Sequence, residues 1–92
     1  MESKVTIANV SLTLADTEYS YALPNGTRRF KIKLRNAGYP LQICVVSGES
    51  NTTYYNIAQG KTHEEKDIKG TGITLYFRTT AASQVAEIIS LK

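Results

Sequence analysis

Cys44 and His63 are the one cysteine and the one histidine of this 92-residue chain, so they are its sole candidate thiol–imidazole pair. A thiol nucleophile needs a base within hydrogen-bonding reach. Cys44 lies between Ile43 and Val45 in an apolar run. That is the setting of a reduced thiol packing as a small hydrophobe, and nothing local brings His63 to it. A lone cysteine forms no disulfide within the chain, and a free thiol fits a protein made in a cytosol.

His63, Glu64, Glu65 and Asp67 are the one cluster of metal-ligating types. On a strand, His63, Glu65 and Asp67 share one face and Glu64 takes the other. Calcium and zinc sites draw their ligands from a shaped loop or from several strands. The run is therefore read as a solvated edge, or as the ion-pair partner of a basic neighbour. No metal and no cofactor are expected. Eight acidic residues mark out no facing pair of the glycosidase kind. The phosphate-cradling patterns GxxxxGK and GxGxxG are absent. The chain is read as non-enzymatic.

The strongest pattern is basic. Residues 29–35 read Arg-Phe-Lys-Ile-Lys-Leu-Arg, with apolar and basic types in strict alternation. A strand sends Phe30, Ile32 and Leu34 to one face and Arg29, Lys31, Lys33 and Arg35 to the other. The four cations form a stripe of about 20 Å at ~3.3 Å per residue. Such a stripe suits an acidic protein partner, because complementary charge steers and registers association. The plain alternative is a solvated face neutralised by Glu64, Glu65 or Asp67. Net charge is only +3, and no RNA-binding sheet motif is present, so nucleic acid is not the expected partner. Tyrosine is the main aromatic, with six Tyr, two Phe and no Trp. Exposed Tyr39 and Tyr54 are candidates for stacking on a ligand ring such as a sugar. Paired tyrosines are also ordinary half-buried strand residues.

The elements that position these residues are short strands divided by turn signals, with no sustained helical period. Strands are expected at 4–14, 18–23, 27–35, 41–47, 54–58, 62–68, 73–78 and 85–91. In the first, Val5 and Ile7 share one parity while Val10, Leu12 and Leu14 share the other. One strand cannot bury both, so a bulge is expected near Ala8-Asn9, or an N-terminal arm over residues 1–9. Pro24-Asn25-Gly26 is a tight turn. The run 41–47 is apolar on both parities, which predicts a strand covered on both faces. Cys44 and Val46 are thus the candidate oligomer interface. The run 62–68 is polar and reads as an edge.

About eight strands in one domain, 1–92, predict an all-β antiparallel sandwich, jelly-roll-like. So short a chain buries only roughly 60–65% of its unfolded surface, which favours oligomerisation or docking on a larger body. No apolar run approaches the ~20 residues that span a bilayer, and no signal-peptide core is seen, so no membrane partner is expected. Asn25-Gly26-Thr27 and Asn51-Thr52-Thr53 match the glycosylation pattern but read as turns.

Leu14-Ala15-Asp16-Thr17-Glu18-Tyr19-Ser20-Tyr21-Ala22-Leu23-Pro24, followed by Thr27-Arg28-Arg29-Phe30-Lys31-Ile32, resembles the opening block of small virion-associated proteins encoded among the structural genes of tailed bacteriophages. Ser47-Gly48, Thr53-Tyr54-Tyr55 and Ile57 with Gly60 resemble a second block. Gly70 to Phe77, with Val85-Ala86-Glu87-Ile88, resembles a third. The blocks are strand and turn patterns and carry no catalytic residue. The resemblance implies a β-sandwich accessory protein of the phage particle, made in the bacterial cytoplasm and located on the virion. Capsid decoration on the major capsid protein comes first, then a neck or tail component. A carbohydrate-binding or host-adhesion module of a fibre is the alternative, and an enzyme accessory domain a further one.

Overall fold

The computed structural model describes residues 5–50, 52–66, 68 and 72–92. Of the arm expected over residues 1–9, residues 1–4 lie outside the described residues and residues 5–9 belong to the first strand. Asn51, Asp67, Lys69 and most of the Gly70-Thr71-Gly72 turn also lie outside them. The strands are β1 (Val5–Leu12), β2 (Tyr19–Ala22), β3 (Arg29–Leu34), β4 (Leu41–Cys44), β5 (Tyr55–Ile57), β6 (His63–Glu65), β7 (Thr74–Arg78) and β8 (Gln84–Leu91). They form two four-stranded antiparallel sheets. The first runs β1-β8-β3-β6 and the second β2-β7-β4-β5.

The alternation of β3 is reproduced residue by residue: Phe30, Ile32 and Leu34 are buried and Arg29, Lys31 and Lys33 exposed. Ile32, Leu12 and Ile88 of the first sheet join Leu41, Leu75 and Phe77 of the second in one core. Burial of side chains this size contributes about 1.5–3 kcal/mol each. The tight turn at Pro24 is present. Thr27 donates to the Pro24 carbonyl from its backbone N–H (3.2 Å) and from its hydroxyl (2.6 Å). Gly26 supplies the left-handed conformation, at φ +88°.

Two expectations need correction. No bulge interrupts β1: its register runs unbroken from Val5 opposite Leu91 to Leu12 opposite Gln84. Both parities are satisfied by facing opposite ways. Thr6, Ala8, Val10 and Leu12 point to the core, while Ile7 remains 70% exposed on the outside. The reading of 41–47 as one strand also fails. β4 stops at Cys44, and Val45 and Val46 are exposed in the connection that follows. There the Glu49 N–H donates to the Val46 carbonyl, and Gly48 adopts φ +83°. Hydrophobicity alone did not mark that stop. β4 is nonetheless interior to its sheet, between β7 and β5. The polar run 62–68 does hold an edge strand, the three residues of β6.

Candidate functional site

Pairing across the first sheet builds its outer face in rows. Ile7, Ile89, Lys31 and Glu64 form one row, one residue from each of the four strands. Asn9, Glu87 and Lys33 form the next, and Val5, Leu91 and Arg29 a third. The basic stripe therefore lies beside an apolar band. A shallow hollow of about 520 Å³ covers this face, lined by Ile7, Asn9, Lys31, Lys33, Glu64 and Glu87 among others.

Three of the four cations are matched. Arg35 Nε donates to Glu87 Oε2 at 2.8 Å, and Lys33 Nζ lies 3.4 Å from Glu87 Oε1. Arg29 Nε lies 3.9 Å from Glu64 Oε2. The hydrogen bond from Arg35, supported by Lys33, holds the Glu87 carboxyl below the usual carboxylate range. Among the described residues, Lys31 has no carboxylate within 4 Å and sits between Ile89 and Glu64 in its row. Four cations against two carboxylates leave the face at +2. Exposed pairs of this kind are worth about 0–1 kcal/mol in general, so the stripe is a surface more than a brace.

A second hollow, about 490 Å³, opens where β3 and β6 part from β4 and β5. Phe30, Ile43 and Leu75 form its floor. Val45, Val46, Tyr54, Tyr55 and His63 surround its mouth. The Tyr55 and His63 rings stand 4.7 Å apart, with Phe30 edge-on to His63 at 6.4 Å. His63 Nε2 and Glu65 Oε1 are 2.9 Å apart, as expected of two residues sharing a strand face. Asp67, grouped with them from the sequence, is outside the described residues. Among the described residues, no three His, Cys, Asp or Glu side chains gather closely enough to hold a metal ion.

Cys44, Val46 and Tyr54 come together around this second hollow. Cys44 is half-buried, and its thiol donates to the Val46 carbonyl at 3.2 Å. Val46 and Tyr54 are 52% and 43% exposed. Tyr39, 40% exposed, does not line the hollow. The two candidate stacking tyrosines therefore do not form one platform, and Tyr55 is the neighbour that Tyr54 has instead.

A carboxylate that the sequence did not single out fixes the rim. Glu18, just before β2, accepts from the Gly48 N–H at 2.9 Å and from the Ser50 N–H at 3.1 Å. Hydrogen bonding from Ser50, first through its side chain, and from Gly48 holds its carboxyl below the usual range. Glu18 thus pins the 45–50 connection that carries Val45 and Val46. Glu87 was likewise missed. Its only sequence signal is its place in a strand whose partner cannot be read locally.

No family model matches the chain. No curated protein matches it either. Among solved structures, it is similar to a de novo designed double-stranded β-helix determined by solution NMR. The TM-score is 0.57 at 16% identity, covering 98% of this chain and 100% of the design. The likeness is one of fold.

Proposed function

We propose that this protein is a non-enzymatic structural accessory that docks through the outer face of its first sheet onto an acidic, partly apolar surface of a larger assembly. The observation that carries the reading is Lys31, without a carboxylate partner among the described residues, in one row with exposed Ile7 and with Ile89. An uncommitted cation beside apolar side chains is poised for a partner that supplies a carboxylate and an apolar patch. The larger body is taken to be the shell of a tailed-phage virion, with capsid decoration on the major capsid protein preferred over a neck or tail position. The strand and turn blocks at 14–24 and 27–32 support that choice by resemblance. The strand order β1-β8-β3-β6 against β2-β7-β4-β5 supports the finer reading of the fold as a jelly roll. Repeated copies on a symmetric shell would combine modest contacts by avidity.

The test is co-sedimentation with shells assembled from a purified tailed-phage major capsid protein. Lys31→Glu with Lys33→Glu should lower occupancy, most at low salt, because exposed charge is screened over ~8 Å near physiological ionic strength. Unchanged occupancy across a salt titration would count against docking through this face.

A second reading rests on Tyr54 and Tyr55 at the mouth of the apolar hollow. These rings favour a carbohydrate-binding or adhesion role on a fibre. Chemical-shift changes confined to residues 44–46, 54–55 and 63 on titration with oligosaccharides would support it, and silence across a broad glycan panel would remove it.

A further inference from the structure

We propose that two copies of this chain pair β1 against β1, antiparallel about a two-fold axis, so that their first sheets fuse into one continuous sheet. The inference starts from the unequal edges of that sheet. β6 is three residues long and carries His63, Glu64 and Glu65. A short, charged edge discourages pairing. β1 is eight residues long, Val-Thr-Ile-Ala-Asn-Val-Ser-Leu, with no charge, proline or glycine. Over residues 6–12 it pairs with β8 on one side, and no described strand pairs with its other side. A long, uncharged, partly apolar edge is the kind that recruits another strand.

Burial along β1 points the same way. Thr6, Ala8 and Val10 face the core yet are only half-buried, whereas Leu12 is buried. A strand laid beside β1 would cover the open flank of those three.

The occupant is a second copy because of what the other edges can offer. The second sheet ends in β2 and β5, four and three residues long. Among the described edges, only another β1 is of comparable length. Two antiparallel copies of one strand are self-complementary across a two-fold axis, each giving the other the same donors and acceptors. An axis perpendicular to the sheet keeps core-facing residues on one side, so opposed residues must share parity. With the axis at Ala8, Thr6 faces Val10 of the second copy and Ile7 faces its Asn9.

Electrostatics do not oppose the pairing. The described strand β1 carries no charged side chain. β3 is the third strand from the seam, so the two basic stripes stand five strand spacings apart. At ~4.8 Å each that is roughly 24 Å, well beyond a Debye length of ~8 Å. The pairing rests on edge geometry and does not depend on the docking reading.

The test is sedimentation velocity on the native chain from about 1 to 100 µM, since a homodimer is populated by mass action. The expected result is a monomer–dimer equilibrium. Ile7→Lys with Ser11→Lys, both on the outward parity, should weaken the dimer by at least roughly tenfold and leave the far-ultraviolet circular dichroism of the monomer unchanged. Val45→Glu with Val46→Glu should leave the dimer intact. Amide exchange of the native chain should slow with concentration in β1 and not in β5, a readout that holds even if the lysine variant fails to fold. A native monomer at the top concentration overturns the proposal. So does a dimer that dissociates with the Val45/Val46 variant and not with the Ile7/Ser11 variant.

Discussion

Arg35 Nε donates to Glu87 Oε2 at 2.8 Å, and the other oxygen of the same carboxylate faces Lys33. One acid on β8 therefore serves two of the four cations in the basic stripe. It does so from a strand whose neighbours are 52 residues away for Arg35. The stripe is a half-neutralised surface, and the part left over is Lys31.

Glu87→Gln should strengthen docking on an acidic surface. It raises the net charge of the face from +2 to +3 and frees Lys33 and Arg35. The fold should be almost unaffected, because the pair is solvent-exposed. Occupancy on shells at low salt should rise above that of the native chain and converge with it at high salt. Equal occupancy at every salt concentration would show that these cations do not meet the partner.

Acid should loosen the connection that Glu18 holds. Its carboxyl is depressed in the folded chain by hydrogen bonds from Ser50 and Gly48. A depressed carboxyl stabilises the fold fully above the unfolded value, about 4.3, and loses that contribution as pH falls through the folded value. The melting temperature should therefore be nearly level from pH 7 to 5 and fall below that. Glu18→Gln should melt lower than the native chain at pH 7, with the gap closing toward pH 3. A constant gap would show that the carboxylate charge plays no part.

The two faces of β1 and β3 should respond differently to truncation. Ile32 is fully buried, so Ile32→Ala should cost about 2–5 kcal/mol in denaturant unfolding. Ile7 points out of the same sheet, and Ile7→Ala should change stability by no more than about 0.5 kcal/mol. A large loss at Ile7 would return that residue to the core and revive a bulged β1.

Gly26→Ala isolates a conformational cost. A Cβ there would meet the Lys92 side chain at 3.9 Å, an ordinary contact. The strain comes from φ +88°, which an L-residue adopts at about 1–2 kcal/mol. Denaturant midpoints with an unchanged slope would report it. A neutral result would mean that the turn relaxes to another type.

What the sequence made legible follows from how local each cause is. The alternation in 29–35 needs only the two-residue period of a strand, and β3 came through intact. The turn at Pro24-Asn25-Gly26 is equally local. β4 ran too far in the sequence reading because apolar types continue through Val45 and Val46. Its end is accompanied by hydrogen bonds from Gly48 and Ser50 to Glu18, about thirty residues earlier. The parity conflict in β1 looked like a defect because a polar outer face was assumed. In fact Ile7 meets Ile89 across the sheet, and that pairing joins opposite ends of the chain. Glu87 was illegible for the same reason. The stripe could be seen, but the strand beside it could not.

β8 lies between β1 and β3 and follows both of them, and every other described strand, in sequence. During synthesis, β1 leaves the ribosome with both edges bare and stays so while some seventy residues follow. β3 has only the three-residue β6 to pair with until Gln84–Leu91 clears the exit tunnel. The first sheet cannot form in step with translation, because the strand that joins β1 to β3 is made after both of them. Folding must then close the longest sequence separations late, which is slow and leaves apolar strands open to aggregation. The nascent chain is thus a natural client for holding chaperones until β8 is free to insert between β1 and β3.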